Sequence, residues 1–177
     1  MATEPRKVSR RKLLFFGGAV TVAGALAVVR TTGYASLPGG PAAPLVLSKG
    51  AWHTVVALSR RIAASDGGPD VPSPDDVGVV SFIDGYVASM DAPIRKDLLQ
   101  FLDYIEQLAP IGCGLFSRFS KLSAADQDRV LSSLEASSSD LLRGGFQGVK
   151  ALVFMGYYRD PRTWSILGYD GPQVGRR

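Results

Sequence analysis

The sequence predicts an all-α fold, in which a single compact, irregular bundle of about five helices follows an N-terminal signal helix. Two observations predict this class. In five stretches after residue 48, apolar residues recur at three- and four-residue spacing, the period of one helix face. No stretch alternates apolar and polar residues over a useful length, as a half-buried strand does. We expect a signal peptide over residues 1–35, a linker over 36–47 and a helical domain over 48–177.

The chain begins with a basic segment that leads into an apolar one, as an export signal does. Its basic part holds the adjacent arginines Arg10 and Arg11 after Ser9, and the leucines Leu13 and Leu14 follow. Paired arginines in this setting are typical of signals for the bacterial twin-arginine translocase, which carries proteins that are already folded. An ordinary secretory signal with a basic start is the alternative.

The apolar run after the arginines is short for a permanent membrane helix. It has 17 residues, over 13–29, which is the lower limit for a bilayer core of ~30 Å. The small residues up to Ala35 predict cleavage before Ser36. The alternative is an uncleaved membrane anchor, because Arg30 closely follows the apolar run. Residues 36–47 contain three prolines and two glycines, a composition that predicts a linker.

The basic excess of the chain lies in its signal. The net charge is +4, but six of the 20 basic residues and one of the 16 acidic residues precede Ser36, which leaves 14 against 15 and a net charge of −1. Domains that bind nucleic acid carry a basic patch or stripe. We therefore expect no nucleic-acid partner.

The helical domain is predicted to start with two helices. Ser48 is expected to cap the first, which runs to about Ala64 and carries arginines in its last turn. A loop rich in glycine and proline follows over 65–73. The second helix is expected from Pro74, with acids in its first turn, to about Met90.

Three further helices complete the predicted bundle. The third has Asp91 as its N-cap, an apolar stripe from Ile94 to Leu108 and a stop at Ala109-Pro110. The fourth follows Ser123, which is expected to form a variant capping box with Asp126. The fifth runs from Leu141 to Tyr157.

The sequence holds few groups for chemistry. His53 is the only histidine and Cys113 the only cysteine, so the chain has neither a histidine-based metal site nor a disulfide of its own. It lacks Gly-x-Ser-x-Gly, a P-loop, a dinucleotide-binding glycine motif and Cys-x-x-Cys-His. We therefore expect a chain that binds no cofactor or metal and is not itself an enzyme.

The C-terminal tail carries an unusual group of aromatic residues. Four of them with polar groups fall within thirteen positions, among prolines and glycines. The candidate interface residues are Tyr157, Tyr158, Asp160, Pro161, Trp164, Gly168, Tyr169, Gly171 and Pro172. Such residues suit a protein interface, and they equally suit a segment that folds back to close the protein's own core. Both hypotheses stay open at this point.

The tail resembles the C-terminal signature of the gluconate 2-dehydrogenase subunit 3 family, through the pattern Gly156-Tyr157-Tyr158-x-Asp160-Pro161-x-x-Trp164-x-x-Leu167-Gly168-Tyr169-x-Gly171-Pro172. The body is similar to that family as well, in Gly78-Val79, Phe82-Ile83-Asp84 and Phe119-x-x-Leu122-Ser123. The resemblance covers essentially the whole chain, and the tail is its most specific part.

The resemblance implies a small gamma subunit of a bacterial membrane-bound, FAD-dependent dehydrogenase. Its partner would be a larger catalytic subunit of the glucose-methanol-choline oxidoreductase type that holds the FAD, often with a cytochrome c subunit that holds haem c. The complex would oxidise a sugar, a sugar acid or an alcohol in the periplasm, at the outer face of the inner membrane. The catalytic subunit would lack a signal and be exported by the small subunit. The alternatives are a stand-alone exported helical protein that binds a ligand or acts as an enzyme, and a membrane-anchored scaffold.

Overall fold

The structure, a computed structural model, describes Tyr34, residues 44–63 and residues 71–171. The chain divides into two compact units, Met1–Tyr34 and Ala35–Arg177, and all the helices named below lie in the second. The predicted signal residues (Ser9, Arg10, Arg11, Leu13, Leu14 and Ala35) and the interface candidate Pro172 lie outside the described residues.

The second unit is all-α over the residues that the structure describes, which confirms the predicted class. Its helices are α1 (Lys49–Ile62), α2 (Val79–Ser89), α3 (Ala92–Gln107), the short α4 (Ala109–Gly112), α5 (Ala124–Glu135) and α6 (Asp140–Tyr158). Two 3₁₀ helices, Phe119–Lys121 and Pro161–Leu167, follow α4 and α6. Across the described ranges, no helix is both long enough and apolar enough to span a bilayer.

Serine caps start three of the helices. The hydroxyl oxygens of Ser48, Ser123 and Ser139 accept hydrogen bonds from main-chain N–H groups at the starts of α1, α5 and α6, at 3.1, 3.2 and 3.5 Å. Each bond satisfies one of the N–H groups that a helix start leaves without a partner. The predicted caps at Ser48 and Ser123 are confirmed. Asp91 occupies the N-cap position of α3, but its side chain makes no capping bond.

The predicted start of the second helix is wrong. Residues 74–77 form turns instead, and α2 begins only at Val79. Gly78 separates the turns from the helix because its φ of 68° is left-handed, a conformation that interrupts a right-handed helix and that glycine adopts without strain. The acids in this stretch serve the turn, since the Asp76 carboxylate accepts bonds from the main-chain N–H and the hydroxyl of Ser73.

The predicted stop of the third helix is observed, but a new helix starts there. The missing N–H of Pro110 costs nothing in a first turn, so the proline opens α4 after α3 has ended at Gln107. The helix α4 then ends in a Schellman motif: Gly114, with a φ of 75°, donates its N–H to the Ile111 oxygen, and Leu115 donates to the Pro110 oxygen, both at 2.9 Å.

The core is built around α1, which packs against α2, α3, α5 and α6. Its largest fully buried side chains include Trp52, Leu58, Leu102, Phe119 and Tyr157. Helix α6 also approaches α2 closely at Gly156, where a Cβ atom would lie 3.0 Å from the ring of Phe82 and 3.1 Å from Val79. This contact holds the C-terminal end of α6, and the tail that follows it, against the bundle.

A buried carboxylate holds the segment that leads into α1. The Asp84 side chain, 2% exposed on α2, accepts three consecutive main-chain N–H groups, from Leu45 at 2.6 Å, Val46 at 3.0 Å and Leu47 at 2.9 Å. Hydrogen bonds from N–H groups offset the cost of burying a charge. Residues 45–47, which lie in the segment predicted to be a linker, are therefore bonded to the helical body.

Candidate partner interfaces

The inner side of the C-terminal tail belongs to this protein's own core. Tyr157 is 1% exposed, and its hydroxyl donates a hydrogen bond to the main-chain oxygen of Pro72 at 2.9 Å. Tyr158 is half-buried and meets the Tyr157 ring edge-on, with 5.2 Å between the centroids. Thr163 is fully buried, and its hydroxyl donates to the Asp160 oxygen at 2.8 Å.

Trp164 holds the end of the tail in place. Its indole N–H donates to the main-chain oxygen of Tyr158 at 2.8 Å, and its ring lies 5.1 Å from that of Tyr169. Gly168 and Gly171 have positive φ angles of 62° and 100°, which favour glycine. A Cβ atom at Gly171 would lie 3.3 Å from the Trp164 ring, so this glycine also permits a close approach of the backbone.

An ionic contact starts the last 3₁₀ helix. Asp160 is its N-cap and accepts the main-chain N–H of Arg162 at 3.0 Å, and Pro161, which is exposed, is the first residue of the helix. The Arg162 guanidinium also donates to the Asp160 carboxylate, at 2.7 Å. The pKa of Asp160 is lowered to about 2, chiefly by the hydrogen bond from the Arg162 side chain and then by the bond from the Arg162 main-chain N–H. Asp160 is therefore charged at neutral pH, and its bonds to Arg162 hold the start of the last 3₁₀ helix.

The outer side of the tail is open. Leu167 is 58% exposed and Tyr169 is 44% exposed, and Ile166, Gly168 and Asp170 are exposed beside them. The tail thus has two sides, of which the inner one packs on the bundle. A partner that binds the tail would contact this outer side, on which Leu167 and Tyr169 are the most exposed of the large apolar side chains.

A second exposed apolar surface lies between α3 and α6. This surface, the α3–α6 groove, runs along positions 94–104 of α3 and 141–148 of α6, and has a volume of about 600 Å³. Ile94 and Leu141, which the periodicity placed in apolar stripes, are 58% and 81% exposed on its two sides. The stripes are real, but they extend beyond the part of each helix that α1 covers. The glycines of α6 are the sequence feature that could have predicted the groove, because glycine places no side chain on that wall.

The floor of the groove is formed by a close contact. The Phe101 ring of α3 lies so near to Gly145 of α6 that a Cβ atom there would lie 2.9 Å from it. Tyr104 stacks beside Phe101, with 6.1 Å between the ring centroids. Among the described residues that line the groove, Asp97 is the charged one.

A buried polar group near α1 has a structural role. Glu106 is fully buried, and its carboxylate accepts hydrogen bonds from the Thr54 hydroxyl at 3.0 Å, the Ser120 N–H at 3.0 Å and the Ser120 hydroxyl at 2.7 Å. These bonds tie α3 to α1 and to the first 3₁₀ helix. Within residues 44–63 and 71–171, no three His, Cys, Asp or Glu side chains come together as a metal site.

The described residues form a small helical domain whose exposed apolar faces include the outer tail and the α3–α6 groove. A family model described as gluconate 2-dehydrogenase subunit 3 matches residues 49–171, and the chain belongs to that family. This confirms the resemblance seen in the tail and the body. Neither a curated protein nor a solved structure matches the chain. The members of this family are described as one subunit of a dehydrogenase complex, which implies that they associate with other subunits.

Proposed function

We propose that this protein is the non-catalytic small subunit of a periplasmic, membrane-associated, FAD-dependent dehydrogenase that oxidises a sugar, a sugar acid or an alcohol. It binds the catalytic subunit in the cytoplasm, escorts it through the twin-arginine translocase and then stabilises it. The observation that carries the proposal is the family match over residues 49–171, which spans all the helices in the part of the chain that the structure describes. The same chain carries the paired arginines Arg10 and Arg11 in its N-terminal segment.

The two parts of the chain have complementary roles in this proposal. The twin-arginine route accepts folded cargo, so a partner bound to the helical body would cross the membrane with its cofactor in place. The FAD belongs to the catalytic subunit, of the glucose-methanol-choline oxidoreductase type, and haem c belongs to a cytochrome c subunit where one is present. On the outer side of the tail, the candidate Tyr169 and its neighbour Leu167 offer exposed apolar area for a partner.

The first test is purification of the full chain, with an affinity tag, from its own host. We expect a second, larger polypeptide that carries FAD, detected by flavin fluorescence and identified by mass spectrometry, together with dehydrogenase activity. A chain that purifies alone, with its own flavin or haem spectrum or its own turnover, would favour a stand-alone exported protein. The mass of the purified chain shows whether residues 1–35 are removed or kept as an anchor.

The second test concerns the export route. Replacing Arg10 and Arg11 by lysine should leave the dehydrogenase activity of the complex in the cytoplasmic fraction, because the translocase reads the arginine pair. The matched control is Arg6→Lys, which changes a basic residue of the same segment and keeps the pair. The general secretory route requires only a basic start. Unchanged periplasmic activity in the lysine variant would therefore refute the escort role through this translocase.

A further inference from the structure

The shape of the α3–α6 groove suits an elongated occupant. Its lining on α3 extends from Ile94 to Tyr104, ten positions, which is about 15 Å at the rise of an α-helix. The side chains at its edges are open to solvent, so the groove is a trough and does not enclose a ligand. A helix of about ten residues has this length, and an amphipathic helix binds such a trough through apolar residues on one face.

The walls of the groove leave room for a helix to approach. Helix α3 packs chiefly on α1, and α6 packs on α1, α2 and α5, so the space between α3 and α6 has no element of its own in it among the described residues. On the α6 side, a Cβ atom at Gly148 would meet nothing within 4 Å. Apart from Gln100 and Asp97, the described residues of the lining are apolar or aromatic residues and glycines.

The negative charge of Asp97 at the groove indicates which charged residues a bound helix would carry. Asp97 is exposed, and no described residue forms an ion pair with it. A carboxylate on the edge of an apolar trough attracts a cation and repels an anionic ligand or lipid headgroup. The complementary occupant carries apolar residues at helical spacing and a lysine or arginine.

We propose that the α3–α6 groove is the docking site for an amphipathic helix of the catalytic dehydrogenase subunit. The helix lays an apolar face against Leu98, Phe101 and Leu142 and brings a lysine or arginine to Asp97. The inference rests on the proposed function, because it assigns a surface to the partner that the function requires. It adds a second contact surface to the outer tail.

The test uses two neighbouring positions of the same helix. In Gly148→Leu the new side chain fills the groove, whereas Gln147→Leu places the same side chain about 100° around α6, outside the lining. A Cβ atom at Gly148 meets nothing within 4 Å, Gln147 is exposed, and leucine is a good helix former, so both variants should fold. The complex is purified from the host through a tag on the full-length chain, and FAD and catalytic subunit are measured per mole of this chain.

We expect Gly148→Leu to lower the retained catalytic subunit by about tenfold, the loss of one binding hot spot, and Gln147→Leu to leave it unchanged. Asp97→Lys should lower it similarly, because it places a like charge opposite the partner's cation. Circular dichroism of each variant checks that the helical content is kept.

The outcomes separate the groove from the proposed function. If the wild-type chain retains no flavin-containing subunit, the proposed function fails and the groove assignment with it. If the wild-type chain retains the subunit and Gly148→Leu retains as much, only the groove assignment is overturned. An equal loss in both leucine variants also overturns it, as does a wild-type chain that dimerises in light scattering and becomes monomeric in Gly148→Leu, since a second copy would then occupy the groove.

Discussion

Replacing Asp84 by alanine should release the segment before α1 from the body of the protein. The carboxylate is the common acceptor for the N–H groups of Leu45, Val46 and Leu47, at 2.6, 3.0 and 2.9 Å. Alanine removes all three bonds at once. The Leu45 N–H lies at an exposed residue and can bond to water, whereas the Leu47 N–H is buried and would lose its partner.

The size of the effect follows from these contacts. A hydrogen bond to a charged group contributes about 1.5–3 kcal/mol, and a buried N–H left without a partner costs about 1–3 kcal/mol. Removal of the buried charge offsets part of this loss. We therefore expect Asp84→Ala to lower the free energy of unfolding by about 3 kcal/mol. Asp84→Asn keeps one acceptor oxygen but turns an amide N–H₂ group towards one N–H donor, so it should cost about half as much.

Urea unfolding of the full chain, followed by far-ultraviolet circular dichroism, measures the change. With a denaturant slope of about 2 kcal/mol/M, a loss of 3 kcal/mol lowers the midpoint by about 1.5 M. The matched control is Ser81→Ala, at an exposed position of α2, which should stay within about 0.5 kcal/mol of wild type. An Asp84→Ala protein as stable as this control, or less affected than Asp84→Asn, would refute the reasoning.

Two further predictions concern α6 and the tail. Gly144→Ala should raise the free energy of unfolding by about 0.5–1 kcal/mol, whereas Gly145→Ala should give at least about 1 kcal/mol less than this, because its Cβ atom would overlap the Phe101 ring and displace it; equal effects in thermal or urea unfolding would contradict the contact. The pKa of Asp160 is lowered to about 2 by its bonds from Arg162, so its stabilisation of the last 3₁₀ helix is present above the ordinary pKa and is lost as the pH falls towards 2. The NMR shift of the Arg162 amide should therefore titrate near pH 2, and a shift that Asp160→Asn leaves unchanged would contradict this.

The helices of this protein could be predicted because their signals are local. The three- and four-residue spacing of apolar residues and the serine caps act within a few positions of the chain, and tertiary packing did not override them. The start of α2 was missed because the backbone conformation of Gly78 is not visible in the pattern, and the acids nearby resemble a first helical turn. The same acids can cap a turn, and only the three-dimensional structure distinguishes these roles.

The candidate interfaces were harder to predict, because exposure depends on which element covers a residue. Tyr157 and Tyr169 belong to one aromatic group in the sequence, yet the first is buried and the second is exposed. Ile94 lies in a regular apolar stripe and still faces solvent. A periodic pattern shows which face of a helix is apolar, but it carries no information on how far a neighbouring helix extends over that face.

The sequence by itself determined the helical class, the five longer helices and the twin-arginine pattern, because the residues that specify each of these are close along the chain. It also determined the family, through motifs that are spread over residues 49–171. The tertiary structure alone decided three other features: the hold of Asp84 on a segment 37 to 39 residues away, the division of the tail into a packed and an open side, and the α3–α6 groove. These features arise from contacts between distant segments, and such contacts exist only after the helices have packed around α1.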